Sequence, residues 1–359
     1  MSKPAERINM GDAKKQAISM IRSYDGPPVR IMEVCGTHTH ELFRLGVRGI
    51  LPEQVTLISG PGCPVCVTPP DFIDAAVWLA LEKQVTITTF GDLVRVPGSR
   101  DSLASARGKG AKVEVVYSPQ DACTYAKEHP EEDVVFLSVG FETTTPSSCL
   151  ALEQAEREKI SNFSLLTANK TMPEAYKMLQ GSADIFLYPG HVNAIAGNAV
   201  CQQLCRQGIS GVVTGFTAAE IVTAIAIALS KFKEGKPFFV NAYPRVVKDE
   251  GSPAAQALTD KYLEPCDTIW RGLGEIPGSG LRLKEEYASF DAYRRYAIPK
   301  MEGKTSPLCR CGEVLQGKCR PVDCKVFGKG CTPEHPIGAC MVSGEGACSA
   351  YYQYGGVIK

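Results

Sequence analysis

VRIMEVCGTHTHE, residues 29–41, sets the reading of the whole chain. A β-branched, nearly continuous apolar run stops abruptly, and a turn of Cys, Gly, Thr and His follows. Strands of this kind belong to parallel sheets covered on both faces. The pattern recurs at 54–59 (QVTLIS), 85–90 (VTITTF), 112–117 (KVEVVY), 134–139 (VVFLSV), 163–168 (FSLLTA), 184–188 (DIFLY), 211–214 (GVVT) and 238–242 (FFVNA). Helix-like segments separate the runs. The most apolar of them, TAAEIVTAIAIALS at 217–230, contains Glu220 and is too short to span a bilayer, so it reads as a buried helix.

The runs also echo one another. VRIMEVCGTHTH, VTLISGPGCPVC and VTITTFGDLVRVPG resemble VVFLSVGFETTTP, DIFLYPGHVNAI and GVVTGFTAAE in order and in their Gly-, Pro- or Thr-rich ends. The fold class expected is α/β: two similar parallel-sheet domains, at 15–120 and 121–265, followed by a small cysteine-rich domain at 266–359. GLGEIPGSGLRL opens that last segment as a turn-rich stretch.

Lys+Arg and Asp+Glu both number 39 in the 359 residues, so no charge imbalance points to nucleic acid or an acidic membrane. MSKPAERINMGDAKKQ lacks the apolar core of a signal peptide, and a cytoplasmic location is expected. Fifteen cysteines are then unusual, because a reducing compartment disfavours a disulfide framework. Seven of them fall within 309–348, which points to metal or redox chemistry. There is no P-loop, and GLGEIPGSG lacks the spacing and preceding strand of a dinucleotide fingerprint. No nucleotide is expected.

Three cysteine motifs carry chemistry. GPGCPVCVTPPD, 60–71, places Cys63 and Cys66 as a CxxC pair on a turn after a strand. Such a pair closes a redox disulfide or grips a metal with two thiolates; alternatively both are small buried hydrophobes. Asp71 reads as the N-cap of the helix DFIDAAVWLALEK, whose dipole would favour the Cys66 thiolate. In CGTHTH, Cys35 is either a nucleophile with a histidine base, or a third thiolate for iron with His38 and His40 as outer hydrogen-bond donors or proton carriers. A polar helix-initiating loop with a buried Cys is the plain alternative. The two histidines share a side only if the loop is extended. In the tail, Cys324, Cys331, Cys340 and Cys348 lie among Gly and Pro, and four thiolates on such a backbone suit an iron–sulfur cluster. Structural zinc competes, but paired CxxC knuckles are missing. Cys309, Cys311 and Cys319 are left as alternative ligands or a CxC redox pair. Glu142, His191, and Asp92 with Arg95 are weaker candidates. Cys123, Cys149, Cys201, Cys205 and Cys266 read as structural.

Taken together, CGTHTH, GPGCPVC, TFGDLVRVPG, GFETTTP, YPGHV and the tail DCKVFGKGCTPEHPIGACMVSGEGACSAYYQY resemble the HypD family of hydrogenase maturation factors, from about residue 15 to 354. The resemblance implies assembly of the Fe(CN)2CO group of [NiFe] hydrogenases. It implies two partners: the small chaperone HypC, and HypE, which hands over cyanide held as a thiocyanate. It also implies two similar α/β domains and a smaller one holding a [4Fe-4S] cluster. Cys35, Cys63 and Cys66 match the positions tied to iron and thiol redox, and Cys324, Cys331, Cys340 and Cys348 are expected to hold the cluster. The chain is then an assembly scaffold with redox chemistry more than a turnover enzyme, and a monomer outside its complexes. Two rivals remain. A cluster-dependent thiol–disulfide oxidoreductase acting on a protein partner leaves Cys35 and both histidines idle. A zinc-stabilised binding protein contains neither iron nor sulfide.

Overall fold

The computed structural model describes residues 10–355. The first nine residues, on which the reading of the N-terminus partly rested, and 356–359 of the expected third domain lie outside the described residues. Each of the nine apolar runs forms a strand: β1 (Val29–Glu33), β2 (Val55–Ser59), β3 (Thr86–Thr89), β4 (Val113–Val115), β5 (Val134–Ser138), β6 (Phe163–Thr167), β7 (Ile185–Pro189), β8 (Ser210–Thr214) and β9 (Phe239–Asn241). They build two parallel sheets, ordered β2-β1-β7-β8-β9 and β4-β3-β5-β6. β3, β5, β7 and β8 are buried along their whole length, which explains their lack of alternation, whereas the edge strands β4 and β9 are partly open.

The sheets do not follow one another along the chain. β1 pairs with β2 on one side (Val29↔Val55) and with β7 on the other (Ile31↔Ile185). The chain leaves the five-stranded sheet after β2, completes the four-stranded sheet, and returns. The strands of 15–120 are therefore shared between the two sheets, as are those of 121–265, in contrast to the sequential division expected. Parallel pairing uses long crossovers, so adjacency in sequence does not dictate adjacency in a sheet.

On one face of the five-stranded sheet lie α1 (Met10–Arg22) and the helix Ala218–Phe232, which bury Ala17, Ile21, Ile221 and Ile225 in one apolar cluster with Ile31 and Val212. Thr217 caps the latter helix, and its Glu220 completes a capping box with the Thr217 backbone. That role explains the lone acid in an otherwise apolar segment. α2 (Gly36–Arg44), the four-residue α3 (Pro64–Val67) and α4 (Pro70–Glu82) follow the cysteine motifs. α4 starts at Pro70 with Pro69 as its N-cap, so Asp71 lies inside the first turn instead of capping it.

The stretch read as turns is a two-stranded antiparallel hairpin of β10 (Leu263–Trp270) and β11 (Gly274–Leu283), with a register shift between Cys266 and Thr268. Gly272, Gly274 and Gly278 take φ of 78°, 88° and 65°. Glycines in that region read as turn, yet here they serve the hairpin bend and its bulge. The hairpin brings fully buried Trp270 against Phe141 (ring centroids 5.7 Å), and Trp270 Nε1 donates to Ser279 Oγ at 2.8 Å. One apolar cluster then runs from Met32 and Val34 through Cys63, Cys66, Phe141 and Trp270 into the tail at Cys311, Cys331, Cys340 and Cys348.

Candidate functional site

In open parallel sheets, ligands gather beyond the carboxyl ends of the strands, where the strand order reverses. In the five-stranded sheet that place lies between β1 and β7. The turn after β1 carries Cys35, and the helix Gly190–Ala196, which starts directly after β7, carries His191 in its first turn. Cys35 is the extended N-cap residue of α2 (φ −150°, ψ 127°) and is 9% exposed. The loop after β2 presses on it: Gly36 N donates to Gly62 O at 3.1 Å, and a Cβ on Gly62 would stand 2.0 Å from Cys35 N. Only glycine permits that backbone approach. The CGTH and GPGCPVC motifs therefore meet main chain to main chain.

Burial pushes the Cys35 thiol up to about 12, with lesser opposing help from the backbone N–H groups of His38 and Thr37. Glu33 next to it is also enclosed. Its carboxylate accepts from Thr39 Oγ1 at 2.5 Å, and burial pushes it up to about 8. A free Cys35 is thus a protonated thiol, and a metal ion binding there would displace the proton.

The two histidines separate. Because 36–44 is helical, His38 turns inward and His40 turns to the tail, where its Nε2 meets Tyr354 Oη at 3.3 Å. His38 is fully buried. Its Nε2 donates to Gly215 O at 2.9 Å, and its Nδ1 has no partner among the described residues. Donation through Nε2 leaves Nδ1 as the lone-pair nitrogen. Burial lowers its pKa to about 4, so the ring is neutral. Phe216 is sandwiched between His38 (4.6 Å) and His191 (3.7 Å). His191 is the residue whose sequence signal was ambiguous; its place after β7 makes it a neighbour of the Cys35 turn. From the tail, Glu345 Oε1 accepts from Thr37 Oγ1 at 2.7 Å.

Cys63 caps α3, and its sulfur accepts from Cys66 N at 3.4 Å. The expected dipole-favoured Cys66 thiolate is not found. Cys66 lies within the short α3, 1% exposed, and its pKa is raised because its thiol is hydrogen-bonded to Cys340 and to Cys63. The thiol pushed down is instead Cys340, which is held low by hydrogen bonds with Cys311, Cys348 and Cys66. Arg271 is enclosed beside these sulfurs, with Nε on Thr68 O and Nη2 on Pro97 O, both at 2.7 Å. A guanidinium stays charged even there, so it supports negative sulfur.

Two thiol arrangements meet in the tail. The sulfurs of Cys311, Cys340 and Cys348 lie within 4.8 Å of one another, a group able to hold a metal ion. Beside it is an enclosed cavity of about 20 Å³ whose walls include Cys309, Cys311, Cys324, Cys331 and Cys348, with Val314, Val326, Phe327, Ile337 and Met341. Cys340 is absent from that lining and faces Cys66. Gly338 floors the approach: a Cβ there would stand 2.5 Å from Cys309 Sγ and 2.7 Å from Cys311 Sγ. Arg95 donates to Pro333 O at 3.1 Å and so ties this tail to the loop after β3. Among the described residues Arg95 makes no ion pair with Asp92.

Glu142 in GFETTTP is neither free nor an ion-pair partner. Its Oε1 accepts from Met172 N at 2.9 Å, while Oε2 is buried without a partner among the described residues. Burial raises it to about 7. The unfolded chain therefore releases this proton first as pH rises, and stability contributed by the neutral carboxyl declines between about 4.5 and about 7. Glu142→Gln is expected to gain on the parent in melting temperature by a few degrees (about 3) between pH 5 and pH 8. Parallel melting curves at both pH values would contradict this.

The fold and the site define an α/β protein that gathers buried thiols at a strand-order reversal and joins them to a second, cysteine-lined cavity. The family model for HypD, described as "Hydrogenase formation hypA family", matches residues 12–355. The chain is 41% identical over 338 residues to the hydrogenase maturation factor HypD of Azotobacter vinelandii, covering 91% of this chain and 89% of that one. Against the HypD of Rhodobacter capsulatus it is 42% identical over 339 residues (92% and 90%), and against that of Escherichia coli 42% over 336 (91% and 89%). The chain belongs to the HypD family of hydrogenase maturation factors. No helix among the described residues is long and apolar enough to cross a membrane.

Proposed function

We propose that this chain is the scaffold and redox factor on which the Fe(CN)2CO group of [NiFe] hydrogenases is assembled in the cytoplasm, with HypC as chaperone and HypE as cyanide donor. One observation carries the reading: Cys35 at the strand-order reversal is joined, through contacting motifs, to a line of thiols that leads to the tail cavity. The iron is the cargo. Cys35 supplies a soft thiolate to it, as suits low-valent iron with strong-field ligands, and a HypC cysteine supplies another. His38 and His191 flank that position, and His40 lies further toward the tail as a proton carrier.

Cyanide leaves a thiocyanate only with two electrons. Cys63 and Cys66 hold two: the S–C bond of the thiocyanate breaks, an S–S bond forms between the two cysteines, and their protons pass to the departing thiol and to cyanide. Cys340 beside Cys66 is placed to attack that disulfide, which frees the Cys63 thiol and moves the S–S bond to Cys66–Cys340; opening that bond then takes two electrons and two protons. The tail cavity, at about 20 Å³, is room for about one water, so a cluster held there would push these side chains apart; the five cysteines in its walls are more than the four thiolates a cluster needs. Cys309, Cys324, Cys331 and Cys348 are the proposed ligands, leaving Cys311 and Cys340 as thiols. A [4Fe-4S] cluster held there supplies electrons one at a time.

The infrared spectrum of protein purified without oxygen, with and without the small chaperone, tests the proposal. Bands of metal-bound cyanide and carbonyl are expected. Their absence from both samples would favour the thiol–disulfide oxidoreductase, a reading the buried Cys66–Cys340 contact also supports.

A further inference from the structure

We infer that the surface over the tail cavity is the docking face for a small acidic electron-carrier protein. Three apolar side chains stand out of this surface: Leu308, Val322 and Tyr352 are 60%, 50% and 42% exposed. Each is one contact from the cavity wall. The carbonyl of Leu308 lies 3.8 Å from Cys324 Sγ. Val322 is two residues from the same cysteine, beside Asp323, whose carbonyl accepts from Arg310 at 3.2 Å. Tyr352 meets Phe327 edge-on at 6.3 Å, and Phe327 lines the cavity. Apolar side chains left in water directly over a buried thiol cavity mark a surface that another molecule covers.

Charge selects the occupant. The chain as a whole carries no formal net charge. Between 308 and 330, however, the acids are Glu313 and Asp323, and both are held by Arg310 and Arg320 in ion pairs three residues apart. Lys318, Lys325 and Lys329 are left, all exposed and without an ion-pair partner among the described residues. Exposed apolar side chains on a segment that also carries uncompensated lysines complement a partner with an acidic rim, and such steering speeds encounter. The inference rests on the reading of the cavity as a cluster site: one electron passes from the reduced carrier, which is oxidised, to the group held there.

The test uses the full chain, prepared without oxygen, and a reduced acidic [2Fe-2S] ferredoxin as probe. Binding by calorimetry and electron transfer by stopped flow are compared with a variant carrying Lys318→Glu, Lys325→Glu and Lys329→Glu, and with Leu308→Ser. The triple variant is expected to bind at least about tenfold more weakly, to lose the salt dependence of binding, and to accept electrons from the ferredoxin correspondingly slowly. Reduction by a small photoreductant should be unchanged. Equal affinity in parent and triple variant, or no binding by the parent, overturns the docking face whatever the iron content. Lysine-dependent binding by a parent that holds no iron and sulfide keeps the docking face and removes the cluster reading.

Discussion

Cys35→Ala is expected to take hydrogenase maturation in a complemented strain to background while leaving the melting temperature within a few degrees (about 3) of the parent's. Cys35 is the single thiol on the turn after β1, and it sits where the strand order reverses. Its sulfur is buried against the β2 loop, so alanine leaves only a small void beside backbone that is otherwise fixed by Gly36 and Gly62. The expected loss exceeds the roughly 10–100-fold that removing an outer-shell partner costs a metal site, because the variant lacks the proposed bond to the cargo itself. His191→Ala, which removes a neighbour and not the proposed ligand, should fall within that smaller range. Hydrogenase activity of the strain, with the variant's abundance checked by blot, reads both. Near-parental maturation by Cys35→Ala would remove this cysteine from the mechanism.

The second large effect separates the two kinds of tail cysteine. Cys331→Ser is expected to lose most of its iron and acid-labile sulfide and all maturation, since Cys331 lines the cavity. Cys340→Ser is expected to keep its iron and sulfide and still lose maturation, because Cys340 is absent from the cavity wall and is hydrogen-bonded to Cys66. Iron and sulfide per chain, together with strain activity, decide. If Cys340→Ser falls to the iron content of Cys331→Ser, the cavity lining has been misread, and the even spacing of the tail was the better guide.

Those outcomes bear on how far a sequence carries such a site. The strands were legible because burial on both faces writes itself as uninterrupted Val, Ile, Leu and Phe. The Cys35, Cys63 and Cys66 turns were legible because each directly follows a strand. His191 was visible only as PGHV after an apolar run. Its relation to Cys35 depends on β7 pairing with β1, which no local pattern encodes. The hairpin at 263–283 was hidden by glycines that normally announce loops. In the tail, spacing indicates that thiols converge but not which of them share a wall. Irregular backbone has no period from which facing positions can be counted. Chain order also misled the division into halves, because crossovers let one sheet be interrupted by another.

That interruption has a consequence during synthesis. β1 and β2 leave the ribosome early, yet the other flank of β1 is satisfied only by β7, which begins at Ile185. At about 5–20 residues per second, the gap after Ser59 amounts to on the order of ten seconds. For that interval β1 presents an apolar strand with an open edge, and the Cys35 turn has no His191 beside it. The nascent chain is therefore exposed to strand-edge association, and the cargo position is completed late. A fragment ending before β7 should aggregate or be degraded in the cell. The proposed iron position cannot be complete until more than half of the chain has been made.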